Sequence, residues 1–126
     1  MQPTRTPKLA PYLVVKDASG LAQFLEKALG GRLSFEEKDP SGRVVHSEVQ
    51  IADGLVMIGD VPEGHPTVPA MIHLYVTDAD AAYQRALKAG ASSVRAPEDA
   101  PDGDRRGGVK DAWGNQWWFT RARSGE

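Results

Sequence analysis

The sequence predicts an α+β domain built from two tandem βαβββ modules. Three observations predict it. The chain resembles itself, each half opens on an alternating strand that runs into an amphipathic helix, and each half closes on three more short strands. An offset of 61 residues lays PYLVVKDASGLAQFLEKALGG, from Pro11, over IHLYVTDADAAYQRALKAGA, from Ile72. Leu13 then meets Leu74, Val15 meets Val76, Asp17 meets Asp78, Gln23 meets Gln84 and Lys27 meets Lys88. With the offset shortened to 60, Val49, Ala52 and Gly54 fall on Val109, Ala112 and Gly114. Order, spacing and element type agree, which chance rarely achieves.

Leu9–Val15 and Met71–Thr77 alternate β-branched or aromatic residues and read as strands. Asp17 with Ser19, and Asp78 with Asp80, supply N-cap chemistry for the helices that follow. Leu21, Phe24, Leu25, Ala28 and Leu29 share one face of the first helix, and Ala79, Ala82, Tyr83, Ala86 and Leu87 the matching face of the second. Gly30-Gly31 and Gly90 stop them. The remaining strands fall near Leu33–Lys38, Arg43–Ile51 and Leu55–Gly59, then Ser92–Ala96, Arg106–Lys110 and Asn115–Arg121. DVPEGHPTVP, Asp60–Pro69, has three prolines and no periodicity, so it links modules of about 9–60 and 70–122 within one domain of 126 residues.

Composition closes off several function classes. A formal charge of −2 leaves no footprint for nucleic acid or an anionic membrane. The absence of cysteine removes disulfides, thiolate metal sites and thiol nucleophiles. MQPTRTPK has no apolar stretch and no run approaches the ~20 residues that span a bilayer, so a cytoplasmic protein is expected. No P-loop, dinucleotide fingerprint or supported Ser-His-Asp set is present.

Strand alternation sorts the faces. Leu13, Val15, Ile72, Leu74 and Val76 must lie under the helices, with Val45, Val49 and Ile51 of RVVHSEVQI. The other face receives Ala10, Tyr12, Val14, His46, Glu48 and Gln50 from one module, and Met71, His73 and Tyr75 from the other. An apolar and aromatic wall with a few polar groups suits a small-molecule site. In DAWGNQWWF, Asp111–Phe119, alternation assigns Trp117 and Phe119 to the core, Trp118 to the open face and Trp113 to the turn.

These residues together (PYLVVKD with its helix, VVHSEVQIADGLVMIGD, IHLYVTD and GDRRGGVKDAWGNQWWF) resemble the vicinal-oxygen-chelate superfamily of glyoxalases, bleomycin-resistance proteins and dioxygenases, with the PhnB-like branch fitting best. The resemblance implies a curved, cup-like mixed sheet, usually completed in a homodimer. It implies activities that range from metal-dependent lyases and dioxygenases to metal-free proteins that sequester antibiotics. The metalloenzymes draw ligands from the start of each module's first strand and from its last strand. By the resemblance those positions are Ala10, Ile58, Met71 and Trp118, none of which is a His, Asp or Glu. A slip of one or two residues brings in His73 or Thr120 without restoring a ligand set.

The expectation is therefore a metal-independent protein holding a small molecule with Tyr12, His46, Glu48, His73, Tyr75, Arg105 and Trp118, and with no cofactor. Arg105 follows the GDR pattern of bleomycin-resistance-like proteins and either grips an anionic or carbonyl group or pairs with a surface carboxylate. The competing expectation is a glyoxalase-type lyase or dioxygenase with a divalent metal in a rearranged site of His46, Glu48 and His73. A third is an accessory subunit whose open face contacts protein. His65, in the linker, is expected to be solvated.

Overall fold

The structure, a computed structural model, describes residues 9–123; the MQPTRTPK segment read above lies outside them. The elements run β1 (Tyr12–Val15), α1 (Ala18–Leu29), β2 (Arg32–Lys38), β3 (Val44–Ile51) and β4 (Gly54–Asp60), then β5 (Met71–Tyr75), α2 (Ala79–Lys88), β6 (Ser92–Asp99), β7 (Arg105–Lys110) and β8 (Gln116–Arg121). Each module forms its own mixed sheet, β1-β4-β3-β2 and β5-β8-β7-β6, with β1–β4 and β5–β8 parallel. Among the described residues these are two four-stranded mixed sheets, one per module, as the α+β, two-module expectation requires.

Local chemistry sets the helix ends. Asp17 accepts from the Gly20 amide and Asp78 from the Ala81 amide, capping donors that the first helical turn leaves open. Gly30 ends α1 with φ 67°, a left-handed conformation that side-chain-bearing residues resist. The Asp60 carboxylate then ties module one together, accepting from the Ala18 amide at 2.7 Å and the Val44 amide at 2.8 Å.

Packing follows the apolar faces. Leu21, Leu25 and Ala28 of α1 and Ala79, Tyr83 and Ala86 of α2 are buried with Leu13, Val49, Ile58, Val109, Trp117 and Phe119. They form one core, and α1 packs on α2. A cleft of about 510 Å³ opens beside β5, lined by Ile51 and Val56 of one sheet and Ile72, Leu74 and Trp117 of the other. The helix-covered faces thus share a single interior. The uncovered face of each sheet lies on the side away from that core.

The DAWGNQWWF stretch builds the β7–β8 connection. The Asp111 carboxylate, nearly enclosed, accepts from the Trp113 and Asn115 amides, from Asn115 Nδ2 at 3.1 Å, and from Trp117 Nε1 at 2.9 Å. Asn115 Oδ1 in turn accepts from the Ala70 amide at 2.9 Å, fixing the start of β5. Trp117 and Phe119 are buried as expected. Trp113 does more than cover the turn. A Cβ placed on Gly20 would lie 3.0 Å from its indole, so Trp113 packs on the first turn of α1 and joins the modules.

Candidate functional site

The hydrogen-bond register gives the two modules equivalent rows across their uncovered faces. In the first sheet Phe35, Glu48, Met57 and Tyr12 are cross-strand partners in sequence. In the second the same places hold Arg95, Gly108, Trp118 and His73. One extra residue in β2, Ser34, and one in β6, Val94, create the register shifts that turn Phe35 and Arg95 onto these faces.

The register corrects one equivalence. Met57, not Ile58, is the counterpart of Trp118, because Tyr12 pairs with Met57 as His73 pairs with Trp118. Ile58 is in the core. The β3–β4 hairpin turns through Ala52 and Asp53, whereas residues 111–115 join β7 to β8, so counting from the turn glycine misplaces the first module by one residue. With that exchange the positions are Ala10, Met57, Met71 and Trp118, whose side chains offer no ligand suited to a hard divalent metal.

On the first uncovered face His46 is the centre. Its Nε2 lies 3.0 Å from Glu48 Oε2, so Nε2–H donates to the carboxylate. The Tyr12 and Phe35 rings flank it at centroid distances of 5.5 and 5.9 Å. Tyr12 lies over Gly59, where a Cβ would come within 2.8 Å of its hydroxyl oxygen. Phe35 was not singled out from the sequence. Its signal was a lone aromatic in the otherwise polar strand RLSFEEK.

On the second face Trp118 is half-buried, its indole lying over Gly108. A Cβ on Gly108 would sit 2.6–2.8 Å from three atoms at the ring fusion, so only glycine admits this pose. Trp118 Nε1 donates to Gln116 Oε1 at 2.9 Å. The Arg95 guanidinium stands 5.9 Å from the ring centroid. His73 Nε2 bonds the buried Thr120 hydroxyl, and its ring is 5.7 Å from that of Tyr75.

Two expectations about grouping need correction. Arg105 does not face this surface: it donates to Asp80 on α2 at 2.7 and 3.0 Å and to Asp99 at 3.1 Å. The next residue, Arg106, is the one whose place in the ladder, opposite Thr120, puts it beside His73. His46 and Glu48 belong to one sheet and His73 to the other. Among the described residues of a single chain, no three His, Cys, Asp or Glu side chains gather closely enough to hold a metal. His65 is exposed in the linker.

Burial holds His73 below the ordinary imidazole value of 6.5, and the charge of Arg106 lowers it further. The unfolded chain therefore binds the proton more readily, and the folded state loses stability as pH falls through that ordinary value. We expect urea midpoints to drop between pH 7.5 and 5.5, and the drop to shrink in His73→Gln. Asp39, Asp80 and Asp102 are held below the usual carboxylate range, by Ser41, Arg105 and the Asp104 backbone respectively, so they titrate in a separate, more acidic window.

Two split modules, helices on one face and a mixed aromatic and polar surface on the other define a βαβββ-repeat protein of the glyoxalase type. The profile of the Glyoxalase/Bleomycin resistance protein/Dioxygenase superfamily matches residues 8–119, and the chain belongs to that superfamily. It is similar to an uncharacterized protein of Mycobacterium bovis, 38% identical over 122 residues, covering 88% of this chain and 80% of the other. Among solved structures it resembles TioX from Micromonospora sp. ML1, with 25% identity, a TM-score of 0.78 and coverage of 92% and 98% of the two chains. A superfamily member from Sphaerobacter thermophilus shares the fold at 22% identity, with a TM-score of 0.72 and coverage of 94% and 98%. No helix of the described residues is long and apolar enough to cross a membrane.

Proposed function

We propose that this protein binds a planar small molecule on its uncovered faces, without a metal, and that two chains associate to enclose it. The observation that carries the reading is Trp118. It stands where the superfamily's metalloenzymes have their last-strand glutamate, and Gly108 beneath it lets the indole present a flat surface. Association is supported by the apolar side chains left bare along β5. Met71 is 69% exposed and Tyr75 70%, more than an isolated chain needs to leave in water. Pairing two chains through this region would set the face of one module against the face of another, as the superfamily resemblance implies. Sequestration of a planar antibiotic in the cytoplasm, by a protein of the PhnB-like branch, is the biological role that fits this reading. The cysteine-free sequence needs no oxidising compartment.

The test is calorimetric titration of chelator-treated protein with planar heteroaromatic probes, paired with sedimentation velocity. Saturable binding by a dimer is expected. Binding that appears only after zinc or manganese is restored would overturn the metal-free reading.

A further inference from the structure

Resting on that reading, we propose that the second uncovered face selects a planar organic anion, an aromatic carboxylate or its equivalent, with its ring on Trp118 and its charge against Arg95. The two rows make the case. The fold places Phe35 in the first module where it places Arg95 in the second, so the scaffold tolerates a neutral side chain at this position. A guanidinium there is a property of this site and not of the fold.

Arg95 has no ion-pair or hydrogen-bond partner among the described residues, and its side chain is exposed. It stands over the Trp118 ring, 5.9 Å from the centroid, at the outer limit of a cation–π contact. The guanidinium caps the outer face of the indole loosely, and a ring stacking on Trp118 displaces it sideways to where it meets the ligand's charge. Arg106, the other cation of this face, is already neutralised by Asp102 at 3.0 Å and Asp104 at 3.3 Å. Burial and the charge of Arg106 both hold His73 below its ordinary value, which disfavours a second charge there. Arg95 is thus the cation of this face with no carboxylate partner among the described residues, over an aromatic platform. A guanidinium binds a planar carboxylate through two parallel N–H donors, and the same geometry repels a cationic ring.

The opposite row carries Glu48 at the place of Gly108 and has no arginine. Anion selectivity is therefore assigned to the second module alone.

The experiment compares naphthoate with its neutral amide, naphthamide, by calorimetry on the chelator-treated full chain. Wild type is expected to bind naphthoate about tenfold more tightly than naphthamide, as a charge-assisted bond implies. Arg95→Gln should erase that preference, bringing naphthoate down to the affinity of naphthamide. Gly108→Ala, which displaces the indole, should weaken both probes. Equal affinity for the two probes in wild type, or a preference that survives Arg95→Gln, overturns the anion proposal and leaves planar-ligand binding standing. If neither probe binds, both readings fall.

Discussion

Replacing Trp118 by alanine is expected to reduce affinity for a planar ligand by ~1–3 kcal/mol, roughly ten- to a hundredfold, the scale of one lost stacking surface. Stability should change little. Trp118 rests on Gly108 at the outside of the sheet, and its indole nitrogen bonds only the neighbouring Gln116. Its chain neighbour gives the contrast. Trp117 is wholly buried under the helices, and Trp117→Ala should cost about 3–5 kcal/mol of folding stability. Calorimetry and urea denaturation on the two variants separate the roles. Loss of stability without loss of binding in Trp118→Ala would mean that the indole is only packing.

Asp111→Ala carries an expected effect on folding as large as that of Trp117→Ala. The carboxylate accepts from two backbone amides, the Asn115 side chain and the buried Trp117 indole. Removing it leaves the Trp117 Nε1 donor without a partner inside the core and frees the loop that fixes Ala70 through Asn115. We expect a loss of ~3–5 kcal/mol, since stranded buried donors and a broken network are among the costliest single changes. The measurement is the urea midpoint at constant slope. A loss below about 1 kcal/mol would show that water or a backbone shift replaces the carboxylate with little penalty.

The same stretch shows what a sequence can disclose. Trp117, Trp118 and Phe119 fell on the expected faces because a strand's side chains alternate, and the ladder with β7 runs without a register shift from Gln116 to Arg121. His46, Glu48 and Gln50 were legible for the same reason. Both helices, with their aspartate caps, were legible because cap and apolar stripe are local chemistry.

Where alternation is broken, legibility failed. The extra residue Val45 in β3 lets Val44, not Val45, reach the core. Ser34 and Val94 likewise bring Phe35 and Arg95 onto the faces that carry the candidate site, and no pattern in the sequence marks these shifts. The unequal hairpins moved Met57 into the place given to Ile58. Arg105 and Arg106 differ by one residue at the start of β7, where only the ladder with β8 fixes which one faces His73. How the two sheets are arranged depends on α1 packing against α2, a contact between helices far apart in the chain. The likeness of one half to the other says nothing about it.

Metal content is the most direct test of the account, because the donor positions of the superfamily's metal site are filled by Ala10, Met57, Met71 and Trp118. Protein produced in medium supplemented with zinc and manganese should be measured by elemental analysis, and its planar-ligand affinity compared before and after chelation. Metal far below one ion per chain and an affinity unchanged by chelation are expected. One tightly held ion per chain, lost in His46→Ala together with ligand binding, would contradict it and restore the rearranged site of His46, Glu48 and His73.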